Sequence, residues 1–429
     1  MSDTAVAGLI LGLTYLAIAS ERVNRTAAAL GGAVAMIVVK LDGFDQAAAF
    51  SSIDFNVIFL LMGMMIQVSV LSRTGVFEWL ATHAAAMAHG SPVRILIALS
   101  LATAVLSAVL DNVTTVVLIA PVTISVASAL RMRATPLLIS EAIASNIGGS
   151  ATLIGDPPNI VIGSAADLGF LSFLTNVAPI IVLILIIYLL AAPRLFSLHR
   201  YETRLRRERV EQMEEKTVIR DPALLRLSCG ILALTIVGFG LHSALGYQPA
   251  TVALLGAALI LLLSRQNVQN VLLDVEWSTL LFFVGLFIVI GGTESVGILS
   301  DVGERVNDMT NGNVSAASIG ILWFSAFASG IVDNIPYTTA MLPVVREVGT
   351  SVGGGGGPGD VLWWSLSLGA CLGGNLTLIA ASANVLVANL AGRKGQRIGF
   401  WEFFRYGAPV TVLSVAVSAV YLWLRYLLF

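Results

Sequence analysis

Long apolar runs alternate along the chain with short polar breaks. A helix that crosses a bilayer needs about 20 mainly apolar residues. Runs near this length predict ten membrane-spanning helices, at residues 5–20, 26–41, 54–72, 136–165, 176–197, 224–245, 249–264, 277–296, 361–391 and 405–428. Two further apolar stretches, 92–131 and 313–346, carry a polar turn near mid-length. We predict each as a re-entrant hairpin of two half-depth helices. The alternative is two full crossings, with the polar turn on the far surface.

The polar turns of the two predicted hairpins have related sequences. Residues 107–121 are SAVLDNVTTVVLIAP and residues 329–343 are SGIVDNIPYTTAMLP. Asp111 and Asp333 therefore pair at an offset of 222 residues, and the Ser, Asn and Pro positions of the motif pair at the same offset. A carboxylate at membrane depth is costly unless it faces water or a partner, so each Asp is a candidate functional residue.

A second pair of related segments lies in the predicted fourth and ninth spans. Residues 146–159 are NIGGSATLIGDPPN and residues 371–384 are CLGGNLTLIAASAN, an offset of 225. Each half carries five predicted spans, an odd number, so the second half enters the membrane from the opposite side. The sequence thus predicts an all-α polytopic membrane protein with two inverted repeats, 1–197 and 223–429, joined by a charged linker at 198–222. Secondary transporters with this architecture bind substrate near the midplane.

The Gly and Pro residues of this second pair predict broken helices, because glycine is flexible and proline lacks the backbone N–H and clashes with the preceding turn. Exposed backbone groups at such breaks are tolerated only inside protein or around a cavity. The predicted helix-break residues are Gly148, Gly149, Gly155, Asp156, Pro157, Pro158, Gly373 and Gly374. The predicted substrate-binding residues around the shared cavity are Asn112, Thr114, Thr115, Asn334, Tyr337, Thr338, Asn146, Ser150, Thr152, Asn159, Asn375, Thr377 and Asn384.

Three carboxylates are candidates for proton coupling. Asp111 and Asp333 are favoured by their pairing, although each could instead cap the N–H groups at a helix start. Glu141 lies one helical turn before Ser145 in the fourth span and could relay protons or serve structure. Asp156 precedes Pro157 and is expected to be a helix N-cap.

Composition and charge agree with a membrane protein. Hydrophobic residues make up 57% of the chain and charged residues 12%, and the mean hydropathy is +0.88. The predicted layout places 20 of the 24 Lys and Arg residues on one face. The positive-inside rule makes that face cytoplasmic, so both termini are predicted to be periplasmic and the linker 198–222 cytoplasmic.

The same composition narrows the function. Without a basic tract there is no reason to expect a nucleic-acid partner. Cys229 and Cys371 do not have the spacing of a zinc site or a disulfide framework, and we predict no metal site and no cofactor. No Lys or Arg falls within the hairpin turns or the broken spans, which favours a cation or a small neutral solute over an anion.

The motifs LDNVTTVVLIAPV and SNIGGSATLIGDPPNIVIG, together with VDNIPYTT in the second half, resemble the ion transporter superfamily and within it the ArsB / P protein branch. The resemblance covers essentially the whole chain. It implies export of arsenite and antimonite across the bacterial inner membrane, coupled to proton entry or to a soluble cytoplasmic ATPase partner. The expected partners are therefore arsenous acid or antimonite, protons and the lipid bilayer. Sodium/proton antiporters share these motifs, so sodium/proton antiport is the alternative.

Two other classes use membrane carboxylates. An intramembrane aspartyl protease needs two Asp side chains as an acid/base dyad, but the predicted topology brings Asp111 and Asp333 in from opposite faces and leaves the broken spans unexplained. An ion channel differs from a transporter in a flux that ignores the proton gradient. We therefore predict a transporter and not an enzyme.

Overall fold

A computed structural model describes residues 2–20, 22–198, 219–351 and 361–428, and all regular structure in these ranges is helical. Most of the predicted linker lies outside the described residues. The first half contains eleven helices. They are α1 Asp3–Ala19, α2 Arg25–Val39, α3 Gln46–Ser51, α4 Phe55–Ser72, α5 Val76–Met87, α6 Pro92–Ser107, α7 Asn112–Ala129, α8 Thr135–Gly149, α9 Pro157–Ala165, α10 Phe170–Asn176 and α11 Ala178–Leu195.

The second half repeats this order, except that its described residues contain no counterpart of α10. Its helices are α12 Pro222–Leu245, α13 Pro249–Leu263, α14 Val268–Leu273, α15 Trp277–Ser295, α16 Ile298–Thr310, α17 Val314–Ser329, α18 Asn334–Ser351, α19 Val361–Gly373, α20 Ser382–Arg393 and α21 Phe400–Leu422, which continues as a π-helical turn Trp423–Leu427. In both halves a long third span, α4 or α15, is followed by a short helix that begins after a glycine in the left-handed region. These are Gly75 with φ 79° and Gly297 with φ 81°.

Six helices of the described residues are long and apolar enough to cross a membrane: α4, α7, α11, α12, α15 and Phe400–Leu427. The pair α9 and α10, bent by 113°, makes a seventh if it is one span. The other predicted crossings are shorter apolar helices or pairs of them, so the number of ten crossings stays a prediction. One of the six, α7, is an arm of the first predicted hairpin. Its 18 residues exceed the half-depth length that we expected.

Each predicted hairpin is a pair of helices joined by a short turn, and each predicted broken span is interrupted where the glycines predict it. The turn between α6 and α7 holds residues 108–111, and the turn between α17 and α18 holds residues 330–333. The break between α8 and α9 runs from 150 to 156, and the break between α19 and α20 runs from 374 to 381. The polar motifs therefore occupy four non-helical segments inside an apolar fold.

The two halves pack as pseudo-symmetric partners. Helix α4 packs on α13 and α15 packs on α2, so the third span of each half contacts the second span of the other. Glycine makes both contacts possible. A Cβ added to Gly63 would lie 2.8 Å from the Ala253 carbonyl oxygen, and a Cβ added to Gly285 would lie 2.8 Å from that of Ala29. The equivalent close approaches join the two halves through the helix pairs α4–α13 and α15–α2.

Candidate functional site

Each hairpin is fastened to the broken span of its own half by two matched hydrogen bonds. The Ser107 hydroxyl donates to the Ser145 carbonyl at 2.8 Å, and the Ser329 hydroxyl donates to the Ala370 carbonyl at 2.7 Å. The hydroxyl of Thr152 donates to the Ala108 carbonyl at 2.6 Å. At the equivalent position Thr377 donates to the Gly330 carbonyl, also at 2.6 Å. Thr152 and Thr377, predicted as substrate ligands, thus satisfy backbone groups of the turns.

This role gives a prediction about stability. Thr377→Val keeps the shape of the side chain but leaves the buried Gly330 carbonyl unpaired. We therefore expect the free energy of unfolding in detergent to fall by about 1–3 kcal/mol. Thr350→Val is the matched control, because Thr350 is exposed and its hydroxyl bonds only within its own helix, to the Glu347 carbonyl. Thermal unfolding of the two variants and the wild type measures the difference. Equal midpoints for both variants would show that the Thr377 bond contributes nothing.

Asn146, near the end of α8, forms hydrogen bonds with residues of both halves. Its amide nitrogen donates to the side-chain oxygens of Asn375 at 3.0 Å and Asn384 at 3.1 Å, and its side-chain oxygen accepts from Asn112 at 3.3 Å. The Asn112 amide also donates to Asp156 at 3.1 Å. We call Asn112, Asn146, Asp156, Asn375 and Asn384 the amide cluster. All five are buried, so the network joins one hairpin turn and both breaks in a site closed to water.

Asn159 and Asn384 hold the backbone of the breaks. The amide nitrogen of Asn159 donates to the carbonyls of Ser150 and Thr152, and that of Asn384 donates to the carbonyls of Gly374 and Thr377. The side-chain oxygen of Asn159 accepts from the Ser367 hydroxyl and the Cys371 thiol. Both amides are therefore occupied with protein partners, which makes them supports of the site rather than free ligands.

Several other predicted ligands are also occupied. Ser150 donates to the Asn146 carbonyl at 2.6 Å, and the Tyr337 hydroxyl donates to Ser325 of the facing hairpin arm at 2.9 Å. Other buried side chains near the turns and breaks keep a polar atom without a protein partner. Those atoms are Asn112 Oδ1, Thr115 Oγ1, Asp156 Oδ2, Asn334 Nδ2, Thr338 Oγ1 and Asn375 Nδ2. A buried polar group without a protein partner is costly, so these atoms are the candidates for contact with a ligand.

Asp156 has a different position from the one we expected. It stands at the N-cap of α9, but its side chain makes no capping hydrogen bond. Its carboxylate instead belongs to the amide cluster, where one oxygen accepts from Asn112 and the other is unpaired. The expectation of a helix cap was wrong because the Asp-Pro-Pro pattern gives information about neighbouring residues only, whereas the partner of Asp156 is Asn112, which is distant in sequence. The aligned position in the second half is Ala381. Because the carboxylate is present in one repeat only, the sequence already indicated that Asp156 has a role specific to the first half.

Asp111 caps the helix that follows it. Its carboxylate accepts from the Thr114 backbone N–H at 2.8 Å and from the Thr114 hydroxyl at 2.5 Å. Thr114, predicted as a substrate ligand, is therefore a partner of Asp111 in this conformation. Glu141 lies apart from the amide cluster, where it accepts a hydrogen bond from Thr123 of α7 and keeps its second oxygen unpaired.

Asp333 differs from Asp111 by having a cationic partner. Arg25, from the start of α2, forms an ion pair with Asp333 at 3.2 Å, and Ser382 donates to the same carboxylate oxygen at 3.3 Å. Arg25 also donates to the Ser382 hydroxyl. The sequence argument, that no Lys or Arg falls within the turns or the broken spans, therefore missed this cation. It counted only the basic residues inside the turns and breaks, whereas Arg25 comes from another helix.

A cavity of about 590 Å³ gives access to this ion pair, and we call it the vestibule. The residues lining it include Arg25, Glu276, Thr279, Asp333, Ser382 and Asn389, but no member of the amide cluster. A neighbouring cavity lined by Arg393 and Arg397 shares Asn389 with it. In the predicted topology both cavities open to the cytoplasm.

Apolar helices around broken spans, with a polar site between two halves, define a membrane transporter. The chain belongs to the CitMHS family, described as "Citrate transporter", whose model matches residues 15–369. An uncharacterized transporter of Mycobacterium bovis is 47% identical, with 99% of both chains covered. The human P protein is 33% identical over 98% of this chain and 60% of its own length. These relatives agree with a transporter rather than an enzyme.

Solved structures with this fold are also transporters. The YdaH transporter of Alcanivorax borkumensis superposes with a TM-score of 0.59 at 14% identity, covering 98% of this chain and 97% of its own. MtrF of Neisseria gonorrhoeae, described among antimetabolite efflux pumps, gives a TM-score of 0.63 at 12% identity and covers 98% and 94%. At these identities the likeness supports the fold alone.

Proposed function

We propose that this protein exports arsenite and antimonite from the bacterial cytoplasm in exchange for protons. The observation that carries the proposal is the amide cluster, which joins both halves and leaves hydrogen-bonding atoms unpaired next to a single carboxylate. The motif resemblance to the ArsB / P protein branch supports the choice of solute, and membership of a transporter family supports the reaction class.

The chemistry of arsenous acid suits these unpaired atoms. At neutral pH arsenous acid is mainly an uncharged molecule with three hydroxyl groups. Its hydroxyls can donate to Asp156 Oδ2 and Asn112 Oδ1 and accept from the unpaired amide nitrogens of Asn334 and Asn375. An uncharged solute avoids the desolvation cost that an ion pays on entering a buried site. Neither a basic side chain nor a multiple-thiolate site is needed for such binding.

Citrate, which the family description names, fits this site poorly. A tricarboxylate carries up to three negative charges, and in the amide cluster these would lie next to the carboxylate of Asp156. Arg25 is the cation that the described residues bring to a hairpin turn, and it is already paired with Asp333. Burying like charges together without compensation is strongly unfavourable. We therefore place citrate behind arsenous acid as a candidate substrate.

Proton coupling is assigned to carboxylates at the hairpin turns. In the conformation open to the cytoplasm, arsenous acid enters the vestibule and reaches the cluster as a turn moves, while Asp111 or Asp333 gives up a proton. Movement of the hairpins then exposes the site to the periplasm, where solute leaves and a proton binds before the return. Glu141 is a further candidate for the proton route, because one of its oxygens is unpaired beside α7.

Sodium/proton antiport is the second candidate. Two unpaired oxygen atoms, Asp156 Oδ2 and Asn112 Oδ1, lie on side chains that are already in contact. Carboxylate and amide oxygens are ligands typical of hard cations. A sodium ion at this position would use the same residues as arsenous acid, but it would be displaced by a proton on Asp156.

Binding to the purified protein tests the choice of solute. A ligand that binds only the folded state raises stability, by about 2.7 kcal/mol at a concentration 100 times its dissociation constant. We expect arsenous acid to raise the unfolding temperature, and sodium chloride, potassium chloride and citrate to leave it unchanged at equal ionic strength. A rise with sodium but not potassium, without an arsenite effect, would favour the antiporter. A rise with citrate alone would contradict the proposal.

A further inference from the structure

The two aspartates of the hairpin turns, equivalent in sequence, have opposite electrostatic surroundings. The contacts of Asp111 are with Thr114 on its own helix, and Glu276, an acidic residue, lies close enough to interact with it. Asp333 forms an ion pair with Arg25 and accepts from Ser382. Among the described residues, Arg25 is the cation that forms an ion pair with a hairpin-turn aspartate, and it does so at Asp333. The two aspartates are therefore equivalent in sequence but differ in the charges around them.

The position of Arg25 is fixed by the helices that frame the site. Helix α2 packs along α15, and the Arg25 guanidinium lies over the Phe282 ring of α15 at 5.5 Å from its centroid. Asp333 belongs instead to the second hairpin turn, and Ser382 is the first residue after the second break. The ion pair thus joins a helix of the frame to two segments that carry the polar motifs.

The second half has no equivalent of Arg25. Helices α2 and α13 correspond at an offset of 224, and both begin at matched positions, so Pro249 stands where Arg25 would be. If Arg25 served only the helix packing that both repeats share, a basic residue would be expected at the equivalent position of the second half. A single copy, directed at a single aspartate, indicates a function specific to the second hairpin.

We propose that Arg25 is a tethered cation that expels the proton from Asp333 whenever the second hairpin docks against α2. This inference rests on the proposed proton-coupled transport and adds a residue to it. When the hairpin leaves α2, Asp333 loses its cationic partner and binds a proton from water on the other side. When the hairpin returns, the O–H bond of the Asp333 carboxyl breaks, the proton passes to vestibule water, and the carboxylate pairs with Arg25, which stays charged throughout. Arg25 is therefore a positioning residue for the proton step.

The charges around Asp333 support this direction. Glu276 faces the vestibule from the start of α15, and Asp156, in the first break, is near enough to Asp333 and Asp111 to interact with both. These acidic groups place negative charge around the second hairpin turn. Arg25, 3.2 Å from Asp333, is the cation that offsets this charge among the described residues. Separation of the pair consequently leaves Asp333 close to acidic groups without its cation.

The dependence of transport on vestibule-side pH tests the proposal. In proteoliposomes with Arg25→Gln, we expect the pH at which transport reaches half its maximum to move upward by about 1–3 units, since an opposite charge has that effect on a carboxylate. Arg25→Lys should keep the wild-type profile to within a fraction of a unit. Arg22→Gln is the matched control, because Arg22 is exposed in the turn that precedes α2.

A uniform loss of rate in Arg25→Gln at every pH, with an unchanged profile, would contradict the proposal and indicate a structural role. A second measurement does not depend on the solute. Asp333→Cys, in an otherwise cysteine-free protein, should react with a membrane-impermeant thiol reagent from both sides of the membrane, in inside-out and right-side-out vesicles. Reaction from the vestibule side alone would mean that Asp333 never leaves the vestibule, and this would overturn the inference whatever solute is carried. Labelling from both sides without arsenite transport would refute the proposed substrate only.

Discussion

Asp156→Asn should lower the initial rate of arsenite transport by about 10- to 100-fold, because a solute hydroxyl left without its acceptor in a buried site costs about 1–3 kcal/mol. The substitution replaces an unpaired acceptor oxygen of the amide cluster with an amide group. It leaves the size of the side chain unchanged, and Asn112 can still donate to the remaining oxygen. The loss should therefore appear in transport and not in the amount of folded protein.

Transport into vesicles, normalised to the amount of protein in the membrane, measures this effect. Asp167→Asn is the matched control, since Asp167 lies just beyond the same broken span, after α9, and is exposed. Size-exclusion profiles and unfolding temperatures establish that both variants are folded. A wild-type rate for Asp156→Asn would remove Asp156 from the site and leave the amide cluster a structural network.

Gly148→Ala and Gly373→Ala should destabilise the fold strongly. A Cβ on Gly148 would collide with the backbone of Ala104 in α6, and one on Gly373 would lie 2.5 Å from the Ala326 carbonyl oxygen in α17. These neighbours are helix backbone, which cannot rotate away. Overpacking of this kind costs about 1–3 kcal/mol or more, and it acts where each hairpin contacts its broken span.

Folded protein after extraction into detergent, and its unfolding temperature, measure the effect. Gly230→Ala is the control, because the added Cβ meets no atom within 4 Å in α12. Alanine is favoured over glycine inside a helix by about 1 kcal/mol, so this control should be as stable as the wild type or more so. Wild-type stability of the Gly148 and Gly373 variants would mean that the hairpins and broken spans are packed less closely than in the structure.

Much of the fold follows from local features of the sequence. Apolar runs locate the long apolar helices to within about five residues, because the need to satisfy backbone groups in a bilayer leaves helices as the available form. They do not predict the short helices α3, α5, α10, α14 and α16. The interruptions follow from Gly148-Gly149 and Pro157-Pro158, and from Gly373-Gly374. Internal repetition then pairs segments that are more than 200 residues apart, which brings both turns and both breaks to one region.

The interactions between halves were harder to predict. Arg25 lies 308 positions from Asp333 and has no twin in the second half, so neither sequence distance nor repetition connects them. Asp156 could be assigned a local role as a helix cap, and only the packing of the first hairpin turn shows that Asn112 binds it. Likewise, the sequence predicts Asn159 and Asn384 as substrate-binding residues, whereas in the structure their amides donate to backbone carbonyls of the breaks.

Arsenite accumulation in everted membrane vesicles from an arsenite-sensitive host tests the central claim most directly. Vesicles containing the wild type should accumulate arsenite when respiration acidifies their interior, and a proton uncoupler should abolish the accumulation. Asp111→Asn and Asp333→Asn, measured in parallel, should each fail to accumulate arsenite. If the wild type does not move arsenite, but addition of sodium dissipates the imposed pH gradient, arsenite export is contradicted and sodium/proton antiport takes its place.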